Sequence, residues 1–148
     1  MTAPHRLFLD ANVWFAAAVS PTGASALLLV LCQEGQCNAT VTRRILQDAE
    51  HNLRAKAKSR DAALVRFYRL IVAPGVQVVP TPSREEAASY VAIVHAKDTH
   101  VLAGADTAKA DALITLDRKH LFAASVRQAK LPFEILTLGM FLRRLLAG

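Results

Sequence analysis

Apolar and polar positions in this 148-residue chain come in short blocks whose period switches repeatedly between strand and helix. Leu7-Phe8-Leu9 is an apolar run that stops at Asp10, the pattern of a short buried strand ending on an acidic residue. A helix over residues 12–18 follows and breaks at Ser20-Pro21-Thr22-Gly23, and a second apolar helix runs from Ala24 to Gln33 up to Gly35. Cys37 to Val41 is the second strand. Thr42 is the expected N-cap of a helix reaching about Lys58, with Ile45, Leu46, Ala49 and Leu53 on its apolar stripe. A helix from Arg60 to Val72 ends at Pro74-Gly75, and Val76 to Val79 is the third strand. Ser83 and Glu86 form a capping-box pattern that opens a helix from Arg84 to His95. Asp98 opens another, with Val101, Leu102 and Ala105 inward. Ala112 to Thr115 and Phe133 to Leu136 are the last strands, and a C-terminal helix runs from Gly139.

Strands alternating with helices predict an α/β fold with a mostly parallel sheet covered by helices. The chain shows no repeat, no low-complexity tract and no linker, so a single domain over 1–148 is expected. Its hydrophobic content of 53% excludes a disordered chain. No apolar run reaches the roughly 18 residues of a membrane span. Arg6, the apolar stretch after it and Ala24-Ser25-Ala26 have the outline of a signal peptide, but Asp10 and Asn12 interrupt its apolar region. The start is therefore read as a strand of the domain. Cys32 and Cys37 are expected to be reduced thiols of a cytoplasmic protein rather than a disulfide.

Charge adds a partner to this picture. The net charge is +6. Between Arg43 and Arg69 stand eight basic residues against Asp48, Glu50 and Asp61, which leaves +5 in that segment alone. A basic stripe on helical residues is a footprint for a polyanion, although a solvated helical face has the same composition. Arg43, Arg44, Arg54, Lys56, Arg118 and Lys119 are the expected nucleic-acid contacts.

The acidic residues suggest chemistry. In a parallel sheet, ligands sit beyond the carboxyl ends of the strands. Asp10 and Asp117 follow strands directly, Asp98 starts a helix that can point back to the same edge, and Asp48 lies early in the Arg43 helix. Converging carboxylates repel one another unless a cation neutralises them, and a hard divalent ion such as Mg²⁺ or Mn²⁺ takes such all-oxygen ligands. Phosphodiester hydrolysis is the chemistry that suits that combination. Each residue also has a plain structural reading: Asp98 as an N-cap, Asp117 as a turn residue, Asn12 as a cap of the next helix.

In these residues the chain resembles the PIN-domain ribonucleases. Leu9-Asp10-Ala11-Asn12-Val13 resembles the family's opening strand motif, and Asp48-Ala49-Glu50-His51-Asn52-Leu53 its acidic helix. Lys97-Asp98-Thr99-His100-Val101-Leu102-Ala103 resembles the third acidic motif, and Ile114-Thr115-Leu116-Asp117 the end of the last motif strand. The resemblance implies a Rossmann-like three-layer α/β/α sandwich and Mg²⁺ or Mn²⁺ held by Asp10, Asp98 and Asp117, with Asp48, Glu50 or Asp106 as further candidates. It implies cleavage of single-stranded RNA by a metal-activated water, with Asp10, Asp48, Asp98, Asp117 and Thr115 as catalytic residues. Thr115 would orient Asp10 or the water. Many members are toxins of type II toxin–antitoxin pairs, so a cognate antitoxin and a homodimer are implied, and no membrane.

The second acidic position is usually Glu in that family and is Asp48 here; helical geometry does not choose between Asp48 and Glu50, while the register of Asn52-Leu53 favours Asp48. Leu116 stands where Gly is frequent, and Asp111 reads as a strand-entry turn residue. His51 and His100 receive no role, and His120 is expected at the surface near substrate. A serine-hydrolase elbow and a phosphate-binding Gly-rich loop are both absent. Two other readings stay open: an aspartyl-phosphate protein, either receiver or phosphatase, on a similar sheet, and a non-catalytic RNA-binding module of the same fold.

Overall fold

The strand His5–Leu9 (β1) is buried on both faces along Leu7, Phe8 and Leu9, as an uninterrupted apolar run requires of a central strand. The computed structural model describes residues 5–147; residues 1–4 and 148, which the expected domain includes, lie outside them. β1 pairs in parallel with Cys37–Thr42 (β2) on one side and Ala112–Thr115 (β4) on the other. Val76–Val79 (β3) pairs with β2 and Glu134–Thr137 (β5) with β4, giving the order β3-β2-β1-β4-β5. All five strands of the described residues are parallel.

The chain moves from β1 outward to β3, then returns past β1 to β4 and β5, so right-handed crossovers put helices on both faces. Ala11–Val19 (α1), Ala24–Gln33 (α2), Arg43–Lys56 (α3) and Arg60–Ile71 (α4) pack on one another, and Leu138–Ala147 (α8) joins them against α2. Thr99–Thr107 (α6) packs on β1 and β4, with Arg84–Ala88 (α5) against it. The result is the three-layer α/β/α sandwich, with Phe8, Trp14, Phe67 and Phe141 among the largest side chains of one contiguous core. Among the described residues no helix is long and apolar enough to cross a membrane.

Local signals placed most elements. Thr42 caps α3 by accepting from the Ile45 N–H at 3.3 Å, and Ser83 and Glu86 make the capping box in both directions. The helix expected to reach His95 stops at Ala88. Beyond it, three-residue turns such as Tyr90 N–H to Ala87 and Ile93 N–H to Tyr90 replace the helix. Val91, Ile93 and Val94 are β-branched and gain little from helix, while the Tyr90 hydroxyl is held by Asp106 at 2.8 Å. Ala124–Gln128 (α7) is a short helix that no periodicity announced. Cys32 and Cys37 are free, buried thiols.

Gly104 sets how closely α6 approaches the sheet. A Cβ there would fall 2.5 Å from Cζ of Phe8, whose ring is fully buried and has nowhere to go. Gly104→Ala is expected to destabilise the protein by about 1–3 kcal/mol, as overpacking does. Gly139→Ala, where a Cβ meets nothing within 4 Å, is expected to be neutral or stabilising by a few tenths of a kcal/mol. Urea denaturation of the two variants checks both signs.

Candidate active site

The sheet order reverses between β1 and β4, which leaves a crevice beyond their carboxyl ends. The parallel register pairs Leu9 with Ile114, and the Asp10 N–H donates to the Ile114 carbonyl at 3.0 Å, so Asp10 and Thr115 emerge side by side. A cavity of about 570 Å³ opens there. Asp10, Asp48, Asp98 and Asp117 all line it, although they come from four places in the chain.

Asp10 is tied down at both oxygens. Oδ1 accepts the Ala11 N–H at 2.8 Å and so caps α1; Oδ2 accepts the Thr115 hydroxyl at 2.9 Å. The amide of Asn12 lies 3.5 Å from the same Oδ2 and 3.3 Å from the Thr115 hydroxyl, and its own oxygen accepts the Leu116 N–H. Thr115 also accepts the Asp117 N–H at 3.0 Å. One buried hydroxyl thus joins the acidic ends of β1 and β4, and Asn12 orients rather than caps.

Environment drives the two carboxylates apart. Burial pushes the Asp10 pKa up, the hydrogen bonds from Thr115 and Ala11 oppose this, and the charges of Asp98 and Asp117 push it up further; the net shift is upward from 3.8. At Asp117 burial also pushes upward, but the N–H groups of His120 and Lys119 and the His120 ring outweigh it, so its pKa falls below 3.8. Asp117 Oδ1 accepts those two N–H groups at 3.0 and 2.8 Å, and Oδ2 lies 3.2 Å from His120 Nδ1. Asp117 is therefore both a turn residue and a cavity residue. His120, expected at the surface, is half-buried as its partner.

Asp98 is not an ordinary cap. It occupies the N-cap position of α6 without a side-chain cap bond, and its Oδ2 is buried with no hydrogen-bond partner. Asp48 is half exposed, and the Nε2 of buried His100 lies 3.7 Å behind it. The alternate, Glu50, points elsewhere: it pairs with Arg54 at 3.3 Å, and Arg54 also donates to the Tyr68 hydroxyl at 3.1 Å. Asp106, a candidate for the metal shell, is engaged by Tyr90 and is not in the cavity wall. Asp111 accepts the Arg6 N–H at 2.8 Å at the entry of β4, as a turn residue there should.

Of the basic residues, Lys56 lines the cavity, joined by Lys97, which the sequence did not single out. Arg43, Arg44, Arg118 and Lys119 are at the surface, and Arg54 is committed to the outer side of α3. His51, Asn52 and His100 complete much of the remaining wall. Nothing in the period of α6 marks His100; only its place two residues after Asp98 hints at it.

The donor set suits a hard divalent ion: four carboxylates, one with an orphaned oxygen and one whose charge is disfavoured by two of the others. Among the described residues no three His, Cys, Asp or Glu side chains already enclose one point, so the carboxylates surround the space rather than close on it. Asp10, Asp98 and Asp117 are the residues that would hold an ion, with Asp48 at the open side.

A family model described as PIN domain matches residues 6–119. PAE2754 from Pyrobaculum aerophilum is a solved structure similar to this chain, with a TM-score of 0.68, 16% identity and 97% of each chain covered. VapBC2 from Rickettsia felis, bound to a promoter DNA fragment, has a TM-score of 0.62 at 13% identity, covering 89% of this chain and 98% of that one. VapC20 from Mycobacterium tuberculosis, described as a Sarcin-Ricin loop cleaving toxin, has a TM-score of 0.57 at 13% identity, covering 76% and 91%. At such identities the likeness is one of fold. No curated protein matches the chain significantly.

The Thr115 hydroxyl favours the charged form of Asp10, so its removal has a defined sign. Thr115→Val is expected to raise the Asp10 pKa further, and Thr115→Ser to leave it near the wild-type value. A carboxyl-carbon NMR titration of the two variants measures this directly.

Proposed function

The chain belongs to the PIN-domain family, and on that premise we propose that it is a divalent-cation-dependent endoribonuclease acting on single-stranded RNA. The observation that carries the reading is the convergence of Asp10, Asp48, Asp98 and Asp117 on one cavity at the switch point of the sheet. Asp10, Asp98 and Asp117 would hold Mg²⁺ or Mn²⁺ there, and the ion would supply the activation of water and offset of phosphate charge that this hydrolysis needs.

The chain's own residues do the rest. Thr115 and Ala11 fix the Asp10 carboxylate. The turn after Asp117 keeps that carboxylate ionised at neutral pH. Lys56 and Lys97 stand in the wall where they can hold the phosphates flanking the cut. His100 backs Asp48, whose side chain is one methylene shorter than the family's usual Glu.

We further propose that the protein is the toxin of a toxin–antitoxin pair, working as a cytoplasmic homodimer restrained by a cognate antitoxin. The fold likeness to VapC20, described as a cleaving toxin, and to VapBC2 supports this. The adjacent open reading frame is the place to look for the partner. Its co-expressed product should bind the chain and suppress its RNase activity.

Asp10→Asn and Asp117→Asn are each expected to reduce Mg²⁺-dependent cleavage of single-stranded RNA to the level seen in EDTA, with an unchanged circular dichroism spectrum. Wild-type cleavage by both purified variants would sink the assignment, whereas RNA binding without cleavage by the wild type would favour a non-catalytic module.

Metal binding has its own readout. An ion that binds only the folded chain stabilises it by about 2.7 kcal/mol at a hundredfold excess over Kd. The melting temperature of the wild type should therefore rise with Mn²⁺ and that of Asp10→Asn much less. Because the Asp10 pKa is raised, protons compete for the site early: the Mn²⁺-induced rise should fade on acidification at a higher pH than an ordinary carboxylate of pKa 3.8 would give.

A further inference from the structure

Beside the acidic cavity lies a second one of about 300 Å³, at the small end of the range for ligand sites. His100 belongs to the wall of both, so the two spaces are neighbours across one side chain. Arg44 from the start of α3 and Arg84 from the start of α5 line the second cavity. Both are exposed, and among the described residues neither guanidinium has a salt-bridge or hydrogen-bond partner. The remaining wall is largely small or apolar, including Pro82, Val91 and Ala96.

Two free planar cations over an apolar floor suit one unit of a polyanion that also has a flat face. Arg forks pair with phosphate in bidentate fashion and stack on bases, and the floor accepts the other side of the ring. A divalent metal ion is excluded by the two positive charges, and an acidic peptide would leave the apolar floor unused.

We propose that this groove is a nucleotide subsite of the RNA strand, holding the residue next to the scissile phosphate through Arg44 and Arg84. The proposal deepens the ribonuclease reading and rests on it for the identity of the strand. It explains why unpaired arginines stand at the mouths of α3 and α5 instead of on the outer faces, where Arg54 is spent on Glu50 and Tyr68. It also gives His100 a second position to hold, between the cut and the subsite.

The test measures binding of a fluorescein-labelled ten-nucleotide oligouridylate to the full chain in EDTA, where no cleavage occurs, across a range of salt. Arg44→Ala/Arg84→Ala is expected to weaken binding at least tenfold. It should also flatten the slope of log Kd against log salt by about 1.4, the change expected when two fewer phosphates of a single strand are neutralised. Arg127→Ala/Arg143→Ala removes the same charge from α7 and α8, outside the basic stripe, and is expected to leave affinity within twofold. Cleavage of the same oligonucleotide with Mg²⁺ is followed in parallel.

Unchanged affinity of the Arg44/Arg84 variant overturns the subsite, as does an equal loss in the Arg127/Arg143 control, which would mark diffuse attraction. A variant that changes only its oligomeric state in sedimentation also overturns it and assigns the face to a second copy. Failure of the wild type to bind the oligonucleotide overturns it too. Arginine-dependent binding with no cleavage by the wild type keeps the subsite and removes the nuclease reading, so the two failures are distinguishable.

Discussion

Asp10 is a carboxylate that the central strand carries past its last buried residue into a place where water cannot fully reach it. Desolvating a charge there is costly unless hydrogen bonds and counter-charge replace the lost hydration. The surrounding architecture supplies the first. Helix α1 begins on Asp10, the Thr115 hydroxyl crosses from β4, and Asn12 ties both to the backbone at Leu116. What it does not supply is positive charge that acts on Asp10: the charges that do are Asp98 and Asp117, which add to the burden, and the Asp10 pKa rises. A folded chain that keeps this arrangement has stability to recover when a cation arrives.

The packing behind the site follows from the same need. Asp98 reaches the crevice only because α6 lies close on β1, and that closeness depends on the missing Cβ at Gly104 above the Phe8 ring. Asp117 is treated in the opposite way to Asp10. The loop that follows it aims two N–H groups and an imidazole at its carboxylate, so it stays charged. Two carboxylates of one chemical type, whose residues meet at the Thr115 hydroxyl (it donates to the Asp10 carboxylate and accepts the Asp117 N–H), are thus held at different proton affinities.

Much of this was legible in the residues. The apolar run Leu7-Phe8-Leu9, the β-branched and apolar strands and the caps at Thr42 and Ser83 located the five strands and most helices, because those signals are local. The aspartates at strand ends followed from topology. The choice between Asp48 and Glu50 did not, because a helical wheel places both on the flanks of α3. What separates them is a contact across helices, Arg54 and Tyr68 holding Glu50 outward. The early end of α5 needed both the β-branched run and the tertiary anchor of Tyr90 on Asp106. His100 and Arg84 became visible only when α5 and α6 were placed against α3, since neither has a partner nearby in sequence that gives it a role.

On the proposed function, the cavity's charge bears on how an acidic site could serve a polyanion. Its wall holds four carboxylates and two ammonium groups, a formal charge of −2 with the histidines neutral. Phosphate should be repelled from such a wall, and the basic surface of α3 alone would not overcome contact repulsion at the cut. One divalent cation would bring the wall to neutrality, and on the proposed function only then would Lys56 and Lys97 act on an incoming phosphate without opposition. The burial that raises the pKa of Asp10 and the excess of Lys and Arg over Asp and Glu in the chain are therefore parts of one electrostatic design. On the proposed function, the surface would gather the strand and the pocket would accept it once its own charge is balanced.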